Sequence, residues 1–234
     1  MTMRMVSHAR RRAVLIVFVG ALAVVPASGQ DLPPATGGAP ASGEDQPIGR
    51  FVVDTRGAFP KFTQNATIAS GIGVTAANLP TRALGLVAGA HWYPARLGAV
   101  TFGIGAEVLL SRASRTLKPA TEDADPGPTV TSRFSALSPQ VSFNFGKRDG
   151  YSYISGGIGR STFTAEREEA PIPDPESRSK TINYGGGGRW FVNTHVAVSI
   201  DLRFYAVNPQ TATSTRPGLP RMRLMVFSVG AGLR

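Results

Sequence analysis

Two histidines beyond residue 30, His91 and His195, carry the side chain best suited to general acid–base work near neutral pH. Neither stands where such chemistry needs it. His91 is followed by Trp92 and Tyr93, His195 by Val196 and Ala197, and no His-x-Ser pair occurs. Cysteine is absent, which excludes thiol catalysis, zinc ribbons, disulfide scaffolds and a lipid-bearing cysteine behind a leader. Gly71-Ile72-Gly73, with Ala76 after it, matches a dinucleotide fingerprint in form. No strand–helix–strand unit surrounds it and no acid follows about 20 residues on, so it reads as a loop with glycines. Glu122, Asp123 and Asp125 lack the spacing of a calcium loop and read as a solvated acidic run. The expectation is a non-enzyme with no catalytic, cofactor-binding or metal-ligating residue.

The remaining chemistry-bearing residues recur at every second position. Asp54 and Arg56, His91, Glu107, Gln140 and Asn144, Arg189, and Asp201 and Arg203 fall on the polar side of stretches whose other side is apolar. A period of two is that of a β-strand with unlike faces. In the clearest stretch, Val100, Phe102, Ile104, Ala106, Val108 and Leu110 alternate with Thr101, Gly103, Gly105, Glu107, Leu109 and Ser111. In the next clearest, Val196, Val198, Ile200, Leu202 and Phe204 alternate with Ala197, Ser199, Asp201, Arg203 and Tyr205. Six further strands are expected over 50–59, 82–93, 133–146, 150–164, 180–192 and 221–233. In the 150–164 stretch Tyr151 and Tyr153 share one face and Ile154 and Ile158 the other, which predicts a bulge at Gly156-Gly157. No stretch after the N-terminal segment shows sustained helical spacing.

Residues 1–29 have the organisation of a secretory signal: Arg4, Arg10, Arg11 and Arg12 lead, an apolar run from Ala13 to Val25 follows, and Pro26 precedes Ala27-Ser28-Gly29. The apolar run is too short to span a bilayer as a helix, which takes about 20 residues. Cleavage after Gly29 removes four arginines and no acid, taking the formal charge from +10 to +6. The surviving cations form no basic stripe, so nucleic acid is not an expected partner. Residues 30–49, rich in Pro, Gly, Ala and Ser, are expected to be a flexible leader, and 50–234 the folded domain.

Connections decide the topology. Short turns are expected at Pro94–Leu97, at Lys147–Gly150 with its Asp-Gly pair, and at Asn193-Thr194. The other connections, over 60–81, 112–132, 165–179 and 208–220, are long and polar. Short and long alternate strictly through eight strands, as in a transmembrane barrel with short periplasmic turns and long outer loops. The aromatics sort to strand ends in the same frame. Trp92, Tyr93, Phe143, Phe145, Tyr151, Tyr153 and Trp190 are expected in a girdle on the turn side, together with Phe51, Phe102 and Phe191. Phe59, Phe134, Phe163, Phe204 and Tyr205 are expected in a girdle on the loop side.

The stretch Phe143-Asn-Phe-Gly-Lys-Arg-Asp-Gly-Tyr-Ser-Tyr-Ile-Ser-Gly-Gly-Ile-Gly159, a strand, a tight turn and an aromatic-led glycine-rich strand, resembles the small outer-membrane β-barrels of the OmpA/OmpX type. The resemblance spans about residues 49–234. It implies an eight-stranded antiparallel up-and-down transmembrane barrel in a bacterial outer membrane, and a monomer delivered by the barrel-insertion machinery. One departure is that such barrels usually end on an aromatic residue, whereas this chain ends Gly232-Leu233-Arg234. Small barrels resembling outer-membrane lipid deacylases place catalytic His and Ser near the outer leaflet, while both histidines here adjoin predicted periplasmic turns. In an envelope of this kind the glycosylation sequon Asn65-Ala66-Thr67 carries no information.

An eight-stranded barrel is just wide enough for its side chains to fill. Asp54, Arg56, Glu107, Arg189, Asp201 and Arg203 are therefore expected to form a paired polar network in the lumen. Lys61, Arg82, Arg112, Arg115, Lys118, Arg133, Arg178, Lys180, Arg216 and Arg221 lie in or beside the outer loops, where outer-membrane lipids and lipopolysaccharide phosphates are expected partners. The expected role is structural and surface-exposed, with four loops available for binding. The alternatives are a narrow passage for small apolar solutes and a soluble lipocalin-like barrel. The soluble barrel requires Phe102, Ile104, Val198, Ile200 and Leu202 inside, with Glu107, Asp201 and Arg203 outside.

Overall fold

The computed structural model describes residues 47–119, 125–168, 178–212 and 218–234. The expected signal and most of the expected leader lie outside them, as do Glu122, Asp123 and Arg216. Eight strands follow in order: β1 (Phe51–Lys61), β2 (Leu84–Leu97), β3 (Val100–Thr116), β4 (Thr129–Lys147), β5 (Gly150–Arg167), β6 (Ser179–Phe191), β7 (Val196–Val207) and β8 (Met222–Leu233). Each pairs antiparallel with the next, and β8 returns to β1, closing the sheet into a barrel. Closure leaves no edge strand, so the ladder itself satisfies the backbone hydrogen-bonding groups of the wall. The strands obey the alternation in the sequence: along β4, for instance, Leu137, Val141, Phe143 and Phe145 face out while Ser138, Gln140, Ser142 and Asn144 are buried inside.

Three local expectations need correction. The β2–β3 turn is Gly98-Ala99, not Pro94–Leu97; Gly98 takes φ +60°. Pro94 lies within β2, where the register shifts between Trp92 and Ala95; such an irregularity accommodates a residue with no N–H to give the ladder. The expected bulge at Gly156-Gly157 is absent. The β4–β5 ladder skips Ser138 and Pro139 and resumes in the same register, with Leu137 opposite Arg160 and Gln140 opposite Gly157. Tyr151 and Tyr153 face in and Ile154 and Ile158 face out, so both faces are apolar here and no slip is needed. Finally, the β1–β2 loop contains a helix, α1 (Ala66–Gly71), and a 3-10 turn at Ala76–Asn78. The Asn65 side chain caps α1, accepting from the amides of Thr67 and Ile68 at 2.8 and 3.3 Å.

The helix positions a lid. Ile68, Ala69 and Leu79 are buried with Phe62, Val87, Leu109, Val130, Phe134, Phe163, Val207 and Leu224 in an apolar layer at the long-loop end of the lumen. Arg115 on β3 donates to the carbonyl of Ala77 and helps hold the lid down. At the turn end, Ile48 packs with Val52, Tyr93, Tyr151 and Tyr153, so the folded domain begins before residue 50. Between the two apolar layers lies a band of buried charge.

Candidate functional site

Alternation on five strands aims the charged band inward. Asp54 and Arg56 come from β1, His91 from β2, Glu107 from β3, Arg189 from β6, and Asp201 and Arg203 from β7; each is nine-tenths or more buried. Three carboxylates meet three guanidiniums. Arg56 Nε donates to Asp54 Oδ1 at 3.0 Å, its Nη2 donates to Glu107, and its Nη1 stands 3.4 Å from Asp201 Oδ2. Arg189 donates to Asp54 and, through Nη1, to the hydroxyls of Tyr93 and Tyr151 at 2.9 and 3.1 Å. Arg203 donates to Gln140, to Asn183 Oδ1 at 2.9 Å, to Ser155 Oγ at 2.9 Å and to Asp201 Oδ2 at 3.2 Å. Its Nε lies 3.2 Å from Glu107 Oε2, an ion-pair separation without hydrogen-bond direction. The band is balanced in charge and spans the barrel. Charges taken out of water are tolerated when paired and hydrogen-bonded in this way.

Interior glycines make room for these large side chains. A Cβ at Gly89 would meet Glu107, His91 and Asp54 at 3.1–3.2 Å, and one at Gly103 would meet the Tyr93 ring at 2.9 Å. The sequence shows where the small residues are, but the large neighbours they serve come from other strands.

One trio has metal-ligand spacing. Ligand atoms of Asp54, His91 and Glu107 lie within 4.8 Å of one another. His91 Nε2 is 3.5 Å from Asp54 Oδ2 and 3.7 Å from Glu107 Oε1, with no hydrogen bond. Both carboxylates are already engaged by arginines, so a divalent cation would have to join three guanidiniums in a confined space. The donor set fits an ion-pair network and does not fit a metal centre.

The aromatic residues divide in a way the sequence reading missed. Trp92, Phe143, Phe145 and Trp190 face outward and are half exposed, and Phe204 faces outward stacked on Tyr184. Tyr93, Tyr151, Tyr153 and Tyr205, expected in the girdles, point into the lumen, as do Phe134 and Phe163. Trp92 and Tyr93 are adjacent in a strand, so one of them must face inward. A tyrosine is well placed there because its hydroxyl reaches the buried arginines: Tyr93 and Tyr151 share a hydrogen bond at 2.9 Å directly beneath Arg189.

The outer wall has its own pattern. Followed toward the long loops, the outward apolar row ends on a cation in seven strands: Lys61, Arg82, Arg112, Arg133, Arg160, Lys180 and Arg223, all exposed. Lys61 pairs with Arg82, Arg112 with Arg133, and Arg160 with Lys180. Arg160 and Arg223 were not among the expected basic positions, although Arg160 two residues beyond Ile158, and Arg223 two before Met225, could have been found by extending the alternation.

No protein-family model and no curated protein matches the chain. Among solved structures it is similar to Neisserial surface protein A, at 10% identity over 78% of this chain and 96% of that one, with a TM-score of 0.48. It is similar to the outer membrane protein OprG from Pseudomonas aeruginosa, at 10% identity over 80% and 96%, with a TM-score of 0.48. Ail, the attachment invasion locus protein of Yersinia pestis, matches at 11% identity over 80% and 98%, with a TM-score of 0.41. At these levels the likeness concerns the course of the chain.

Proposed function

We propose that this chain is an integral β-barrel of a bacterial outer membrane, of the small OmpA/OmpX type, with a filled lumen and a structural, surface-exposed role for its long loops. The observation that carries the reading is the inversion of face polarity. Ile104, Val198 and Leu202 are 45, 42 and 42% exposed on the outer wall, while Glu107, Asp201 and Arg203 are each 2% exposed inside. A soluble monomer rarely exposes an apolar patch beyond a few hundred Å², and here such residues ring the barrel. The lipocalin-like alternative needs the opposite arrangement of these same side chains. Hydrocarbon outside and a hydrogen-bonded plug inside satisfy both faces at once.

The test is expression with the native N-terminal segment, followed by alkaline extraction of the membrane fraction. The barrel should stay with the membrane and show a heat-dependent shift on gels; recovery as a soluble protein would overturn the reading. A filled lumen predicts no stable conductance in planar bilayers. Steady channels that disappear in Glu107→Gln or Arg203→Gln would favour the narrow-passage alternative instead. Insertion machinery and surrounding lipid are the partners this reading requires, and a monomer suffices for it.

A further inference from the structure

We propose that the outer wall across β3 to β6 seats a phosphorylated, acylated lipid, with Arg160, Arg178 and Lys180 holding a phosphate and the groove beneath them taking an acyl chain. The inference rests on the membrane reading and adds a partner to it. Arg160 on β5 stands directly opposite Lys180 on β6, and both side chains are exposed. Arg178 lies two residues from Lys180, is also exposed, and lines the same groove. Like charges directly opposite in a sheet repel and destabilise it. The neighbouring rim pair relieves this internally, because Arg133 Nη1 reaches Glu166 Oε2 at 2.8 Å. Among the described residues Arg160, Arg178 and Lys180 have no carboxylate partner. Three adjacent cations with no anion beside them among the described residues can take one from outside, and guanidinium groups match phosphate oxygens in pairs.

The groove selects the source of that phosphate. It has a volume of about 1100 Å³, and Val108, Leu137 and Ile158 give it an apolar floor directly below the three cations. Cationic rim above apolar floor is the profile of a lipid with a phosphorylated headgroup and a hydrocarbon chain. Free phosphate would use the rim and leave the floor empty.

The full chain, refolded in a neutral detergent, can be examined by native mass spectrometry with three probes: diphosphorylated lipid A, the same lipid dephosphorylated, and inorganic phosphate. The phosphorylated lipid should be retained, the dephosphorylated one held more weakly, and inorganic phosphate should not displace the lipid. The triple variant R160Q/R178Q/K180Q should lose roughly tenfold or more in affinity, the equivalent of one charge-assisted hydrogen bond. The control R221Q/R223Q removes two exposed cations at the other side of the rim and should bind like the native chain. Native-like binding by the triple variant, or an equal loss in the control, would overturn the proposal, the latter because it would mean diffuse attraction to the whole rim. Displacement by inorganic phosphate would overturn it as well. Flotation with vesicles, measured separately, reports on the membrane reading: a barrel that floats but retains no lipid disproves the groove alone.

Discussion

Tyr153 on β5 donates its hydroxyl to Asp201 Oδ2 on β7 at 2.8 Å, reaching across the whole width of β6. The strand between them offers no obstacle because Gly187 pairs with Tyr153 on one side and with Asp201 on the other. A Cβ at Gly187 would stand 2.8 Å from the Tyr153 hydroxyl. A glycine with no polar atom of its own thus decides whether one hydrogen bond of the network can form.

Gly187→Val should therefore destabilise the barrel by about 1–3 kcal/mol, the cost of overpacking a filled interior. Tyr153→Phe removes the hydroxyl alone and should cost about 1 kcal/mol, since Asp201 keeps Arg56 and Arg203. Urea unfolding in detergent, followed by the heat-dependent gel shift, measures both. If Gly187→Val costs as much in a Tyr153→Phe background as in the native chain, Gly187 is not what admits the tyrosine hydroxyl.

Arg203 touches more of the charged band than any single hydrogen bond suggests, with Glu107, Asp201, Gln140, Asn183 and Ser155 around it. Arg203→Met should cost about 3–5 kcal/mol, because it leaves buried carboxylates under-compensated. Adding Glu107→Gln should recover part of that loss by removing one of those charges. A double variant less stable than the single one would contradict charge balance as the organising feature of the lumen.

The lid rests on the apolar contacts of Ile68, Ala69 and Leu79, the Asn65 cap and the Arg115 bond to Ala77. Ile68→Asp should release α1 and make residues 62–83 cleavable by protease, while the strands stay protected. Asn65→Ala should weaken the same segment by about 1 kcal/mol. Hydrogen exchange resolved by segment reads the difference. If Ile68→Asp unfolds the whole barrel, the lid is part of the cooperative core and not a layer upon it.

Ile200 sits mid-strand on β7, facing out at 40% exposure. Ile200→Arg should cost about 2–4 kcal/mol in a bilayer, as charges do near the midplane of a barrel wall. On a water-facing surface the same change would fall within about 0.5 kcal/mol of neutral. Refolding equilibrium in lipid vesicles separates these outcomes.

Much of the wall was legible in the sequence. Val100 to Leu110 and Val196 to Tyr205 alternate so regularly that strand, face and approximate bounds followed from side-chain polarity alone. The buried positions of Asp54, Arg56, Glu107, Arg189, Asp201 and Arg203 came from the same rule. Local exceptions were less legible. Pro94 looked like a turn because its effect on a ladder depends on whether a bulge absorbs it, and that is settled by the partner strand. The lid escaped because Ile68, Ile72 and Leu79 are too few for a helical period. What makes α1 helical is the Asn65 cap and burial against residues far away in the chain.

Sequence alone determined which residues belong to which face, because the two-residue period of an extended chain is set by covalent geometry and needs no neighbour. It determined the count of strands and the order of short and long connections for the same local reason. Tertiary structure alone decided which faces meet: that Tyr153 passes over Gly187 to Asp201, that Arg189 lies over two tyrosine hydroxyls, and that Arg160 stands opposite Lys180. Those relationships depend on register and closure, which emerge only when eight strands pair around a common axis. Whether Tyr93, Tyr151, Tyr153 and Tyr205 sit in a girdle or in the lumen was decided there too. The ring favours either environment, and what tipped the balance is a buried guanidinium within reach of the hydroxyls of Tyr93 and Tyr151, a buried carboxylate within reach of that of Tyr153, and an apolar layer around the ring of Tyr205.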